Sequence, residues 1–545
     1  MPNRTPPGGA ARRHPPPRRS GVRAVLVTLA FALGLGAPAH PQVRLPALGE
    51  SASQDLSVSD ERRLGDQIMR EARRDPDFLD DAVLLEYVQS VWQPLVAAGR
   101  ELGNIDPELQ RMFAWEVFLV RDRTVNAFAW PGGYVGVHLG LIALTTNRDQ
   151  LASVLAHEMS HVTQRHIARG VGASSRASMT SLAAILLGIL VASRSNNPDV
   201  ANAAISGGQA AGIQQQLNYS REMEREADRI GYAVLADAGY APAGMAQMFE
   251  RMESAARVND GGGFAYLRSH PLTSERISEA RNRVLLGHAA PPQPSALHAM
   301  MRERARVLMD PDPQALARLA EGQGSSGAPT DRQGALYGGA MAQLRLGHAA
   351  RADAMAADGL RAAEQLTPRE PMAEQAWRLL QSQARLARGD AAGALALLEP
   401  LSAADRAVLL QRARIAVEWH ARDAAAAAAQ ARRSTEALQA WVAEHPQDAA
   451  AWEALEGSSA ALGQRLRSMR AGAEARAALG DLQGAIDRLR TAQASARGAA
   501  GQEFIEVSVI DARLRQIEHE RRQIALEMRG NGQRGDGDRA PSPWR

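Results

Sequence analysis

The 545-residue chain has no cysteine. That excludes disulfide frameworks, thiol catalysis, cysteine-ligated zinc and a lipidated cysteine near the N-terminus. Any metal must therefore rest on imidazoles and carboxylates. Lysine is missing as well: all 63 basic residues are arginine, a bias of codon composition before it is one of function. Aromatic residues make up only 4%. With 45% hydrophobic and 23% charged residues, disorder throughout is excluded. The length is too great for a single core and predicts two or three domains.

The formal charge is +3 and the pI about 9.5, but the positive charge is not spread evenly. Six arginines and no acidic residue lie in residues 1–39; without them the balance turns slightly negative, so no nucleic-acid partner is expected. Arg12, Arg13, Arg18, Arg19 and Arg23 precede an apolar run over residues 24–36, and Ala37-Pro38-Ala39 follows. This is the order of a secretory signal peptide, and the run is shorter than the ~20 residues that span a bilayer. It predicts cleavage after residue 39 and a mature product in the periplasm, with at most peripheral membrane contact.

A linker is expected over residues 40–50. Residues 51–290 have mixed composition, Pro291-Pro292-Gln293-Pro294 marks a linker over 291–295, and residues 296–528 are dominated by Ala, Leu, Arg, Gln and Glu. Residues 529–545 have little to bury and read as a disordered tail. In the second half, Leu346-Gly347-His348-Ala349, Arg388-Gly389-Asp390-Ala391 and Leu479-Gly480-Asp481 each close one Ala-rich helix and open another. Pro446, Trp452, Leu455, Leu462 and Gly463 follow offsets like those of a tetratricopeptide repeat. The fold class is thus mostly α: a mixed domain with a small sheet or hairpin, then an α-solenoid of four or more helical pairs, whose concave face suits peptides or partner proteins. The apolar stretch over residues 181–192 predicts a buried helix or a flap over a cleft.

His157-Glu158-Met159-Ser160-His161 is an H-E-x-x-H motif, for which chance alone predicts about 0.03 occurrences in such a chain. Asn147 and Gln150 can form a capping box, and Leu151, Val154, Leu155 and Val162 have helical spacing, which predicts a helix of about six turns. Residues four apart share a face, so both imidazoles point to one place and align two ligands of a zinc ion. Glu158, beside the first ligand, is positioned to take a proton from attacking water as general base. A His at position 167 would extend the motif to the metzincin pattern, but that residue is Ile167. His166 reads as a surface histidine. The third ligand is sought in Ser220-Arg221-Glu222-Met223-Glu224-Arg225-Glu226-Ala227-Asp228-Arg229-Ile230-Gly231, a second helix on which Glu224 and Asp228 share a face. Glu222 and Glu226 share another, and composition does not choose between them.

The set H-E-x-x-H, then E-x-x-x-D, with Asn126-Ala127-Phe128-Ala129-Trp130-Pro131-Gly132-Gly133 upstream and His270-Pro271 with Arg276 downstream, resembles the metallopeptidase family that includes the CAAX prenyl protease and the HtpX membrane proteases. The resemblance covers about residues 50–290. With the repeat region it is similar to the exported, β-barrel assembly-enhancing branch of that family. It implies a zincin-like domain with one zinc held by His157, His161 and Glu224. It further implies that Glu158 activates water, that Asp228 is the proton donor, and that His270 approaches the metal in a self-inhibited state. Arg276 is expected to fix the His270 loop through an acidic partner, and residues 171–217 to cover the site. Trp115 to Val120 alternate as a strand, and residues 126–129 and 134–138 flank Pro131-Gly132-Gly133 as a hairpin whose edge suits an extended substrate backbone.

Three functions follow from this reading. The first is a periplasmic zinc endopeptidase acting on misfolded or stalled outer-membrane β-barrel precursors, with the solenoid recruiting substrate or the β-barrel assembly machinery. The second is a chaperone or adaptor that works mainly through the solenoid, with a largely silent zinc site. The third is a membrane-bound prenyl-peptide processor, which the shortage of spanning segments disfavours.

Overall fold

A computed structural model of the chain describes residues 56–172, 220–258, 265–286, 291–321, 327–496 and 502–536. The expected leader, the linker over 40–50, the apolar stretch over 181–192 and nearly all of the expected covering segment lie outside the described residues.

The first half opens with helix α1 (Val58–Ala72), capped by Ser57, and α2 (Ala82–Glu101), capped by Asp81, whose carboxylate accepts from the Leu84 amide. A short α3 (Pro107–Met112) leads into the sheet. Its strands are β1 (Phe78–Leu79), β2 (Glu116–Val120), β3 (Ala127–Trp130) and β4 (Tyr134–His138), in the order β1-β2-β4-β3. β3 and β4 form the expected antiparallel hairpin, with Trp130 opposite Tyr134, and β2 runs parallel to β4, with Val117 opposite Val135. Gly132 and Gly133 take φ of 78° and 86°, values open to glycine and costly to a side chain, and so allow the tight turn. Trp115, expected to begin β2, instead sits just before it at φ 51°.

Helix α4 (Leu139–Leu144) follows, and then α5 (Arg148–Thr163), which carries the H-E-x-x-H motif. Asn147 caps α5 by accepting from the Gln150 amide at 2.9 Å. Gln150 reaches back to the Thr146 amide at 2.8 Å, one residue upstream of a regular capping box. At 16 residues α5 is shorter than the six turns expected, and everything from Asp149 to Thr163 is buried. A helix without a solvent face runs through a core instead of along its surface; here it packs against β3, α2 and two later helices. These are α7 (Arg221–Asp237) and α8 (Ala243–Val258); α6 (His166–Gly172) directly follows α5. The first half closes with α9 (Ala265–Ser269) and α10 (Ser274–Leu286).

Beyond the proline cluster come α11 (Ala296–Met309), α12 (Pro313–Glu321), α13 (Pro329–Arg345), α14 (Ala349–Ala363), α15 (Pro371–Ala387), α16 (Ala391–Ala396), α17 (Arg406–His420), α18 (Ala424–Glu444), α19 (Ala449–Ala461), α20 (Arg465–Ala478), α21 (Leu482–Ser495) and α22 (Gln502–Asp536). From α12 onward each helix packs on its neighbour in sequence, as a helical repeat region does. The turns follow from the small-residue pattern. Gly389 and Gly480 end helices at φ of 88° and 78°, and the next aspartate starts a new helix: Asp390 accepts from the Gly393 amide and Asp481 from the Gly484 amide. α22 extends to Asp536, so the expected tail begins inside a helix; residues 537–545 lie outside the described residues.

The hydrophobic core continues across the proline cluster. One hydrophobic cluster joins Val88, Leu139 and Leu155 of the first half to Met300, Tyr337 and Trp377 of the second. Several polar contacts return to the stretch near residues 70–86. Arg304 of α11 pairs with Asp81 at 2.7 Å and Arg406 of α17 with Asp80 at 2.6 Å. The Ala407 amide donates to Glu86. At Gly480 a Cβ would lie 2.9 Å from the Arg70 carbonyl oxygen, so glycine permits the contact of that turn with α1. Among the described residues no helix is long and apolar enough to cross a membrane.

Candidate metal centre

His157 and His161 sit one turn apart on α5 and turn their Nε2 atoms to within 3.0 Å of each other. α7 supplies the carboxylate. It can lie close because Gly231 leaves room: a Cβ there would stand 3.2 Å from the backbone of Ala156 and His157. Glu224 thereby reaches 3.5 Å from Nε2 of His157 through one oxygen and 3.5 Å from Nε2 of His161 through the other. His270, just past α9, brings Nδ1 to 2.9 Å from Glu224 and 3.4 Å from His157 Nε2. These four side chains offer ligand atoms that all lie within 4.8 Å of one another, and none exceeds 2% exposure.

The electrostatics of the cluster suit a cation. Burial opposes protonation of His157, yet the carboxylates of Asp228 and Glu224 outweigh it and lift its pKa to about 10. Burial, then the charge of His157, drives His161 well below its ordinary value. Burial raises Glu224, but His270 and His157 more than offset this and hold it below the usual carboxylate range. The carboxylates that draw a proton onto His157 also favour a metal ion there. The donor chemistry fits: two imidazole nitrogens and a carboxylate oxygen are a set that zinc takes in hydrolytic sites. Glu158 adds a further sign, since among the described residues neither of its buried oxygens has a hydrogen-bond partner, an arrangement that stores an acceptor for a proton not held by the fold. Its Oε1 is 3.6 Å from His270 Nε2.

Asp228 does not turn into the cluster. It meets His157 at Nδ1, the nitrogen remote from the other donors, at 2.9 Å. Arg276 grips both its oxygens, at 2.7 and 2.8 Å. Burial raises the Asp228 pKa, but Arg276 and His157 prevail and lower it. A carboxylate placed between Arg276 and the Nδ1 side of His157 has the geometry to orient that imidazole. Arg276 also donates to the Pro271 carbonyl at 2.9 Å and stands 2.8 Å from Glu224 Oε2, without hydrogen-bond alignment. Its acidic partners are thus Asp228 and Glu224.

His166 corrects the sequence reading. It is 1% exposed, and its Nδ1 lies 2.8 Å from Nδ1 of His161. On its other side it meets Glu226 at 3.0 Å, which Arg169 also holds. Burial lowers its pKa to about 4 despite that carboxylate. Glu226 therefore serves this histidine and Glu224 faces the cluster, a division that composition left open. Tyr266 was also missed: it is buried and stacks on the His270 ring at 4.6 Å. The only local signal for it was an aromatic four residues before a histidine.

Comparison with known proteins agrees with this geometry. Residues 86–284 match peptidase family M48. The chain is 37% identical over 241 residues to a putative beta-barrel assembly-enhancing protease of Vibrio cholerae, covering 44% of this chain and 47% of that one. It is 34% identical over 263 residues to the beta-barrel assembly-enhancing protease of Escherichia coli K12, covering 48% and 52%. These two alignments span about half the length of the relatives. The protease of the same name from Yersinia pestis aligns over 87% of this chain and 91% of its own length at 29% identity. Family match and buried donor set lead to one conclusion: residues 86–284 form a metalloprotease domain of peptidase family M48.

Proposed function

We propose that the chain is a periplasmic zinc endopeptidase that degrades misfolded or stalled proteins and assists the assembly of outer-membrane β-barrels. The observation that carries the catalytic part is the convergence of His157, His161 and Glu224 with Glu158 alongside. The names of the relatives support the substrate class, and the leader-like residues 1–39 support export.

In this reading His157, His161 and Glu224 hold the zinc, which when bound polarises the scissile carbonyl and lowers the pKa of the attacking water toward ~7. Glu158 takes the proton of that water and can return it to the leaving amine. Asp228 keeps the His157 hydrogen on Nδ1 and so leaves Nε2 free as a donor. Among the described residues β3 is an edge of the sheet, and it packs on α5, so an extended peptide could pair with it by main-chain bonds, with little demand on side chains. His270 is a fourth donor where a catalytic site needs an open position, and it is the regulatory residue that keeps the resting site closed. Arg276 ties the His270-Pro271 segment to Asp228. The helices from α11 onward, of tetratricopeptide type, recruit unfolded substrate or the assembly machinery.

The test is zinc per chain, measured together with casein cleavage, with and without chelator, for the parent and Glu158→Gln. We expect one zinc, chelator-sensitive cleavage, and a loss of about 10²–10⁴-fold in the variant. Unchanged cleavage by the variant refutes the protease reading. Lost cleavage with retained support of β-barrel assembly assigns a second, adaptor activity to the helical region.

A further inference from the structure

We propose that His166 is a positioning residue that fixes the ring of His161 for metal binding, at the end of a relay Arg169–Glu226–His166–His161. This deepens the metal reading above and rests on it.

An unbroken helix would not bring these two histidines together, because five residues advance an α-helix by about 140° past a full turn. The chain breaks instead. α5 ends at Thr163, and Arg165 takes φ 50°, a left-handed conformation that is costly for a non-glycine residue. The Arg165 guanidinium is held in that place by Glu61 at 2.9 Å and by the Leu56 carbonyl. α6 therefore starts on a new course, and the His166 side chain returns to His161.

The bonds fix where the hydrogens lie. Glu226, as a carboxylate, only accepts, so Nε2 of His166 donates to it across 3.0 Å. The neutral ring then has its lone pair on Nδ1. That atom lies 2.8 Å from Nδ1 of His161, which must carry the hydrogen between them. His161 is left with its lone pair on Nε2, the nitrogen turned toward His157 and Glu224. Arg169 secures the far end, 2.8 Å from the same Glu226 oxygen. On the other ligand, Arg276 and Asp228 set the hydrogen of His157 on Nδ1 in the same way. Each ligand histidine is thus oriented by an arginine–carboxylate pair, directly for His157 and through a third imidazole for His161.

The test is zinc affinity of the full chain, read by competition with a chromophoric chelator and so independent of activity, beside the melting temperature of the metal-free protein. His166→Leu removes the bonds to His161 and Glu226 and should weaken zinc by about 10–100-fold, the range for an outer-shell partner of a ligand. His166→Gln can accept from His161 and donate to Glu226, and should stay within about threefold of the parent. Glu226→Ala, at a partly exposed position, covers the case in which His166→Leu does not fold; it should weaken zinc about tenfold with little change in metal-free melting. Parental affinity in His166→Leu or Glu226→Ala overturns the proposal, as does a Gln variant as weak as the Leu variant, which would make bulk the only requirement. A parent that binds no zinc removes the metal reading itself, whereas a zinc-binding parent with unaffected variants removes only the relay.

Discussion

His298, on the first helix after the proline cluster, donates from Nε2 to the carbonyl of Thr145 at 3.3 Å, two residues before the cap of the motif helix. Its Nδ1 accepts from the Tyr87 hydroxyl at 2.6 Å, so the ring is satisfied as neutral imidazole and is fully buried. The C-terminal half thereby holds the entrance of α5 as well as following it in sequence.

A pH dependence of stability follows from that histidine. Burial lowers its pKa from the ordinary 6.5 to about 4. On acidification the unfolded chain takes up this proton first, so the contribution of neutral His298 is complete above about pH 6.5 and is lost as pH falls toward 4, up to about 3 kcal/mol. His298→Gln keeps an acceptor for Tyr87 and a donor for Thr145 without titrating. Between pH 7 and 5 its melting temperature should fall less than that of the parent; equal slopes would show that His298 does not carry the effect.

Gly231 sets the spacing of α5 and α7. Gly231→Val places branched carbons against the backbone of Ala156 and His157, and separation of α7 from α5 withdraws Glu224. Zinc affinity should drop at least about tenfold, as expected when a ligand is displaced, whereas Gly239→Ala, where no described residue beyond its chain neighbours lies within 4 Å of the new Cβ, should leave affinity unchanged and melt lower through its positive φ.

Asp228 and Glu158 should fail differently. Asp228→Asn loses the charged partner of His157 and leaves Arg276 short of one, so zinc should bind about 10–100-fold more weakly, with cleavage largely recovered at saturating zinc. Glu158→Gln should retain zinc and lose turnover. Recovery that fails for Asp228→Asn despite full zinc loading would assign Asp228 as a proton donor.

Loss of the fourth donor should open the site. His270→Ala removes the imidazole between Glu224 and Glu158, and casein or an unstructured peptide should be cleaved several-fold faster at saturating zinc, in line with a vacated coordination position. Slower cleavage would assign His270 to catalysis or to packing on Tyr266.

The local parts of the centre were legible because they obey short-range rules. The i,i+4 spacing aligned His157 with His161, Asn147 and Gln150 announced the cap, and glycine-aspartate pairs announced the turns between later helices. Glu224 was named only through resemblance, since Glu222 and Glu226 offered the same chemistry from the same helix. His166 was misread for a definite reason. Helical periodicity puts it on another face, and the break that returns it depends on Arg165 being held by Glu61, 104 positions away.

Composition and spacing in the chain alone determined which atoms were available: no thiolate, two imidazoles one turn apart, a glutamate between them, and Ala-rich helices with punctuating glycines. Folding decided which carboxylate faces the imidazoles, which one stands behind each ring, and that the core continues past the prolines into α11. Those outcomes depend on the approach of helices distant in sequence, and neither periodicity nor composition encodes the distance at which two such helices pack.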